Sequence, residues 1–419
     1  MNILVLPGTT GIAREIFNSL SQVKNIQLFG AGFDLEKSLK FTYVRFDALG
    51  PWDEIKTLKE VESIVQKNNI NLIILAHDEW ISNTKNLDII GKSKIIKSNS
   101  RAISIALQKS KTYDHFRNLL PCPIVFRNVS QIKTFPVFLK PDRGQGSVGA
   151  KAIADRDSLQ EFLNYDGSFK PNWIISEYLP GKEYTIDCFS DKNFQVRYVS
   201  ARLRSKIQNG LAVETQVIHD DKLHKWANII SNELSLKGAW FFQAKEDLNG
   251  YKKILEIGLR IAGASGIQRL KGVNLSLLNI LLEQNQILKI IDQNVFPKIA
   301  PIDLGFTYEN IYVDFDDTLI LNGSINKCLM SFLEDSKRNG HKVILISRNS
   351  SNLLALIDEF GLINFFSEII RVLDNQLKSS MINTDRKFIF IDDSFKERYD
   401  VFLKYQSQVL VLDETAFVR

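Results

Sequence analysis

Cysteine is scarce in this chain: there are three among 419 residues, Cys122, Cys188 and Cys328, far apart and odd in number. That excludes a disulfide framework and a thiolate metal site, whose ligands recur at short fixed spacings, and it predicts reduced thiols in a cytoplasmic protein. Long apolar runs are missing too. None approaches the roughly 20 residues that cross a bilayer, so no membrane partner is expected. The opening MNILVLPGTTG lacks a charged region ahead of a long apolar one and reads as a strand rather than an export signal. Nor does one sign of charge dominate, because 53 basic side chains are offset by 48 acidic ones, leaving +5. The basic segment GKSKIIKSNSRAISIALQKSK has no interleaved aromatics, so it reads as a solvated helix face, and no nucleic-acid partner is expected.

What remains is an ordinary globular composition, 44% apolar and 24% charged, with length for about two to four domains. Residues 1 to about 100 alternate apolar runs with helical patterns, the rhythm of a parallel α/β sheet. Gly8 and Gly11 open a helix after the first run, where tight strand-to-helix packing competes with anion binding as the reason for the glycines. A loop is expected after INLIILAHDE, and His77, Asp78 and Glu79 at that strand end are candidates for substrate contact against a structural role.

The chemistry concentrates in FPVFLKPDRGQGSVGAK, residues 135–151. An apolar run ends at Lys140 and Pro141, and Gly144, Gly146, Ser147 and Gly149 follow. Glycines let backbone N–H groups approach an anion closely, so this is a phosphate cradle with a lysine behind it. Another apolar run comes next, so the loop reads as a hairpin tip rather than a dinucleotide fingerprint or a Walker loop. Upstream, Lys109 and Lys111 lie on a helical stretch. Downstream, NWIISEYLPGKEYTIDCFSD reads as strand, turn at Pro180 and Gly181, and strand, with Glu177 and Glu183 flanking the turn. Arg202 and Arg204 share one strand face, since strand side chains repeat every two residues. A helix is predicted around 221–234. The hairpin GAWFFQAKEDLNGYKKILEIGLRIAG then sets Gln243, Glu256 and Arg260 among apolar residues. Two oxygen acceptors on adjacent strands and a guanidinium suit a magnesium triphosphate, although any one of them alone would pass for a surface ion pair.

In these segments the chain resembles the ATP-grasp superfamily, specifically carboxylate–amine ligases related to the large chain of carbamoyl-phosphate synthetase. The resemblance implies α/β architecture, with a Rossmann-like domain over 1–100 ahead of an α+β ATP-grasp domain over 101–305. By that resemblance Lys109 and Lys140 bind the nucleotide phosphates with Gly144, Gly146, Ser147 and Arg204. The segment EYLPGKE, with Glu177, Leu179 and Glu183, contacts adenine and ribose. Gln243 and Glu256 hold Mg2+, and Arg260 binds phosphate. Two positions depart from the pattern. The family's Glu-Ile-Asn-Pro-Arg stands here as Glu256-Ile257-Gly258-Leu259-Arg260, without the asparagine that helps hold a second metal, and the usual Asp before the first lysine is Gln108.

Past about residue 305 the pattern changes. IYVDFDDTLI sets Asp314 and Asp316 two apart after a buried strand, with Thr318 following. VILISRN ends a strand at Ser347, Lys378 sits in QLKSSMI, and FIFIDDSF carries Asp392 and Asp393. One strand-end carboxylate can attack phosphorus while its neighbour moves a proton. In order and spacing these motifs resemble the haloacid dehalogenase (HAD) phosphatases, implying a Rossmannoid domain over 306–419. The resemblance makes Asp314 the nucleophile and Asp316 the acid/base, with Ser347 and Lys378 on the phosphoryl oxygens. Asp392 and Asp393 join Asp314 and Asp316 around Mg2+. Only 33 residues separate Asp314 from Ser347 and 31 separate Ser347 from Lys378, leaving no room for a cap insertion. The Ser394–Arg398 stretch, SFKER, is similar to phosphatase units tied to polysaccharide or natural-product assembly.

The expectation is a bifunctional enzyme using ATP, Mg2+, a small-molecule carboxylate, an amine and a phosphate ester, with a homodimer as the default assembly. Arg202 and Arg204 are candidates to hold the carboxylate or the moving phosphoryl group. Two alternatives compete: one unit, more readily the ATP-grasp half given Gly258, serves as a binding module, or the chain processes nucleic-acid ends.

Overall fold

The structure is a computed structural model that describes residues 1–33, 43–50, 53–144, 149–165, 172–208, 211–286, 289–292, 298–299, 308–321, 323–348, 352–383, 387–406 and 408–410. The chain divides into two compact units, one of residues 1–21, 26–265 and 275–288, the other of 22–25, 266–274 and 289–419.

The first unit opens with the expected parallel sheet. Its strands are β1 (Asn2–Leu6), β2 (Gln27–Gly32), β3 (Arg45–Ala48), β4 (Leu72–Leu75), β5 (Ile89–Ile90) and β6 (Ser93–Ile96), in the order β3-β2-β1-β4-β6-β5. Only the β5–β6 pair is antiparallel. Helix α1 (Gly11–Leu20) starts at Thr10, whose hydroxyl accepts from the Ala13 N–H at 3.0 Å. Gly8 packs against Gly30 and its N–H donates to the Ala31 carbonyl at 2.7 Å, so this turn lies close against strand β2. After α2 (Glu54–Lys67) and β4, the expected loop is instead a short helix, α3 (Asp78–Asn83). His77 caps it by accepting from the Glu79 N–H at 3.3 Å, which is the structural role left open for that residue.

The basic stretch, residues 91–111, is not one helix face: it begins with strand β6, and only its later part enters helices α4 (Ser100–Ala106) and α5 (Lys109–Phe116), interrupted at Leu107 and Gln108. A small antiparallel sheet follows, made of β7 (Val125–Phe126), β8 (Val137–Pro141), β9 (Lys151–Ile153) and β10 (Trp173–Glu177) in the order β7-β10-β8-β9, with α6 (Arg156–Tyr165) between β9 and β10. The glycine loop is the tip of the β8–β9 hairpin, as read from the sequence. Residues 178–182 do not close a hairpin. They carry the chain into a second antiparallel sheet, where β11 (Glu183–Ser190), β12 (Val196–Gln208), β13 (Leu211–Ile218), β14 (Gly238–Glu246) and β15 (Lys252–Gly258) run in the order β15-β14-β11-β12-β13. Helix α7 (Asp221–Leu234) occupies the predicted span, capped by Asp220 on the Leu223 N–H at 3.0 Å. Helix α8 (Leu275–Glu283) completes the unit. Although 1–100 and 101–305 read as separate domains, Leu4, Trp80, Phe116, Ile186, Trp240 and Leu259 share one buried apolar core.

The second unit contains the short strand β16 (Lys298–Ile299) and a five-stranded parallel sheet. That sheet is built from β17 (Asn310–Val313), β20 (Lys342–Ser347), β21 (Glu368–Arg371), β22 (Phe388–Ile391) and β23 (Gln408–Leu410), ordered β21-β20-β17-β22-β23. Between β17 and β20 lie the two-residue strands β18 (Ile320–Leu321) and β19 (Ser324–Ile325) and helix α9 (Lys327–Arg338). Helix α10 (Leu353–Glu359) precedes β21, and α11 (Phe395–Tyr405) follows β22. Tyr312, Ile346, Phe390 and Val401 centre its core. Cys188 is buried and Cys122 half-buried, both as free thiols, whereas the Cys328 side chain lies outside the described set. Among the described residues, no helix is long and apolar enough to cross a membrane.

Candidate functional site

The two antiparallel sheets of the first unit line a cleft of about 350 Å³, within the range of small-molecule sites. The small sheet supplies Phe138, Lys140, Ser176 and Glu177, and the larger one Glu183, Arg204, Gln243, Lys245 and Glu256. Lys109, Arg143, Gly144 and Leu179 complete the rim. These groups converge because of strand register. Glu183 lies opposite Lys245, Thr185 opposite both Arg202 and Gln243, and Gln243 opposite Glu256. Gly146 and Ser147 lie outside the described residues.

Each cation is held from behind. Asp142, at the end of the strand that carries Lys140, accepts from the Ser110 N–H at 2.7 Å and from Gln108 Nε2 at 2.8 Å. It thereby supplies the N-terminal cap that Gln108 itself does not make, and fixes the helix start bearing Lys109. Lys109 Nζ donates to the Gly144 carbonyl at 2.9 Å. Lys140 is 5% exposed, and its ammonium donates to the Tyr113 hydroxyl at 2.8 Å. That hydroxyl donates in turn to the Leu255 carbonyl at 2.7 Å. Burial, with the Lys109 ammonium adding to it, pulls Lys140 down to about 7 against the attraction of Glu256. Arg204 is also lowered by burial, while its partner Glu183 lies 3.1 Å from both Arg204 Nε and Lys245 Nζ.

Two predicted residues are not at the cleft. Arg202 does share a strand face with Arg204, but Asp187 captures it at 2.8 Å where both side chains are almost fully buried, so it cannot reach a substrate. Arg260 does not line the cleft. Its guanidinium donates twice to Asp78, at 2.7 and 3.0 Å, and lies 5.3 Å from the centre of the Phe241 ring. Lys245 and Arg143 were missed. Lys245 stands two residues from Gln243 on the same strand, so the strand period would have found it.

The acceptors suit one divalent cation. Glu256 and Gln243 sit on directly paired positions, and among the described residues neither side chain has a hydrogen bond or ion pair within reach. Glu177 and Glu183, by contrast, are engaged by Lys253 at 2.5 Å and by Arg204 and Lys245. A carboxylate and an amide oxygen, joined by ligand phosphates, are suitable magnesium donors.

In the second unit, Asp314, Ser347, Asp392 and Asp393 all sit at or just past the carboxyl ends of adjacent parallel strands. Lys378 Nζ is 2.6 Å from both Asp314 and Asp392. One carboxylate oxygen from each of Asp314, Asp392 and Asp393 lies within 4.8 Å of the others, a donor set of the kind that holds magnesium. Asp316 is exposed and its carboxylate is not in that group. Thr318 accepts from the Asp393 N–H at 3.0 Å, and its hydroxyl lies 3.3 Å from Asp314 and from Asp393. Burial, reinforced by the Asp392 charge, pushes Asp314 up to about 7 despite Lys378. Burial also lowers Lys378, but the two carboxylates outweigh it and leave its pKa raised.

The family described as "ATP-grasp in the biosynthetic pathway with Ter operon" matches residues 169–303, and the one described as "D-ala D-ala ligase C-terminus" matches residues 113–221. The first unit carries an ATP-grasp fold. The chain is 24% identical over 204 residues to D-alanine–D-alanine ligase of Buchnera aphidicola subsp. Schizaphis graminum, covering 48% of this chain and 58% of that one. The chain thus spans a little over half the length of this curated relative. Among solved structures, the biotin carboxylase domain dimer of the Hydrogenobacter thermophilus 2-oxoglutarate carboxylase, in complex with MgADP, ADP and bicarbonate, is similar at a TM-score of 0.60 and 14% identity, over 70% of this chain and 73% of that one. N5-carboxyaminoimidazole synthetase from Staphylococcus aureus, complexed with ADP, is similar at a TM-score of 0.54 and 15% identity, over 69% of this chain and 78% of that one. The first of these family matches ends at residue 303 and the second at residue 221.

Proposed function

We propose that the ATP-grasp unit is an ADP-forming carboxylate–amine ligase. The observation that carries this reading is the convergence of Lys109, Lys140, Arg204, Gln243, Lys245 and Glu256 on one cleft. The relative named D-alanine–D-alanine ligase supports an amide-forming reaction. A substrate carboxylate oxygen attacks the γ-phosphorus of ATP, the bond to the β-phosphate oxygen breaks, and ADP leaves. The amine nitrogen then attacks the carbonyl carbon of the acyl phosphate, inorganic phosphate departs, and the amine proton passes to solvent. This order replaces an anionic carboxylate, which repels nucleophiles, with an anhydride that has a good leaving group. Lys109, Lys140, Arg204 and Lys245 counter the phosphate charge, and Glu183 and Leu179 receive the nucleoside. Magnesium held by Glu256 and Gln243 would neutralise the phosphate oxygens. Magnesium-dependent thermal stabilisation by ATP is the test; its absence, or unchanged nucleotide binding in Lys140→Ala, removes this half.

The acidic site supports a second activity in the same chain, a HAD-like phosphomonoesterase over residues 306–419. The specific observation favouring it is Lys378 bridging Asp314 and Asp392 at 2.6 Å each beside Asp393. An Asp314 oxygen attacks phosphorus, the alcohol leaves with a proton from Asp316, and water then hydrolyses the aspartyl phosphate. Ser347 and Lys378 hold the phosphoryl oxygens, and a magnesium ion at Asp314, Asp392 and Asp393 would offset their charge. The substrates are small molecules, in biosynthesis according to the family description, and the assembly is a homodimer.

A further inference from the structure

We infer that the cleft seats one divalent cation per bound nucleotide and that its wall is closed to a second. This rests on the reading of the cleft as a nucleotide site. On β15, residue 258 is the next position on the face that presents Glu256, since strand side chains alternate. It is where a further metal donor on this wall would stand. Gly258 offers no side chain, and the space for one is already filled. A Cβ there would lie 2.1 Å from Phe241 Cε1 and 2.3 Å from Cζ, far inside contact distance. Phe241 is the direct cross-strand partner of Gly258 and is itself buried.

The ring is also pinned. The Arg260 guanidinium lies over it at 5.3 Å from its centre, and Asp78 holds that guanidinium with two hydrogen bonds. Asp78, Arg260, Phe241 and Gly258 therefore form one chain of contacts that keeps position 258 shut. The other carboxylates lining the cleft, Glu177 and Glu183, are engaged by Lys253, Arg204 and Lys245, leaving Glu256 with Gln243 as the single available donor pair among the described residues. Neutralisation that a second cation would supply falls instead to Lys109, Lys140, Arg204 and Lys245.

The test counts protein-bound Mn2+ by electron paramagnetic resonance after rapid gel filtration, with and without the β,γ-imido analogue of ATP. Radiolabelled analogue reports nucleotide retention separately. The difference removes any Mn2+ on the acidic site of the second unit. The expected nucleotide-dependent increment is one ion per chain, and Glu256→Gln, compared at matched nucleotide occupancy, is expected to take none. An increment of two overturns the inference. Phe241→Leu combined with Gly258→Asn is expected to raise the increment to two, and a folded double variant that still takes one overturns the steric cause. The unsubstituted chain decides the count even if that variant does not fold. Loss of all nucleotide retention in the unsubstituted chain overturns the reading of the cleft, and this inference with it.

Discussion

In the ATP-grasp cleft, Lys109, Lys140, Arg143, Arg204 and Lys245 face Glu177, Glu183 and Glu256, whereas in the second unit Asp314 and Asp392 flank Lys378 with Asp393 beside them. Burial acts on both sites with opposite sign. It pulls the Lys140 ammonium down to about 7 and pushes the Asp314 carboxyl up to about 7. In each case like charges nearby add to the effect of lost water. The first site is short of negative charge and suits a polyphosphate; the second is short of positive charge and suits a divalent cation. The difference teaches that burial alone fixes neither sign: one site presents cations directly, the other presents oxygen donors that a cation would bridge.

The strongest way to break this contrast is Asp314→Asn. Hydrolysis of an aryl phosphate is expected to fall at least ~10³-fold with the fold intact by circular dichroism, and persistence would dismiss Asp314 as nucleophile. Next come the two neighbouring arginines. Arg202→Met strands Asp187 in the interior, and urea unfolding should register a loss of about 3–5 kcal/mol. Arg204→Met should instead weaken nucleotide binding, so equal behaviour of the pair would dissolve the distinction between buried clamp and cleft cation. Lys140→Met should lower nucleotide affinity by about 10- to 100-fold in calorimetry, the range for a charged hydrogen bond.

The same lysine sets a pH signature. Its folded pKa is about 7 against an ordinary 10.5, so between those values the unfolded chain holds a proton that the fold does not. Stability from this group therefore rises with pH across that window, and the cost of burying it charged is complete below it. Urea midpoints should show Lys140→Met gaining most over the parent at pH 6.5 and least near pH 10. Nucleotide binding near pH 8.5 should also take up a proton, visible as a dependence of binding heat on buffer ionisation enthalpy. The smallest expected effect is Tyr113→Phe, which keeps the ring and removes the hydroxyl that steers Lys140. About 1 kcal/mol should be lost from nucleotide binding, more than from cold, ligand-free stability if the role is positioning.

Local patterns carried the parallel first sheet, the glycine hairpin and the helix from Asp221 to Leu234, because each is written in consecutive residues with their own caps and turns. Lys109, Lys140, Glu183 and Glu256 were legible as a set through their order along the chain. What sequence could not supply was pairing at a distance. Arg202 shows the expected strand phase, but only the fold brings Asp187 to it. Arg260 looks like a free phosphate ligand until Asp78, 182 residues earlier, is seen to hold it. The segment around Pro180 has every mark of a hairpin turn, yet its flanking strands join different sheets, since nothing in five residues records which edge each strand will find. Gly258 was visible as a missing donor, but its cause, the Phe241 ring, was not.

That short crossing from Tyr178 to Lys182 is the seam between the two walls of the cleft. Its glycine N–H donates to the Glu246 carbonyl at 3.0 Å, and Lys253 from the far hairpin grips Glu177 just before it. The two walls are thus tied there by backbone, hydrogen bond and ion pair together, like pages at the spine of a book.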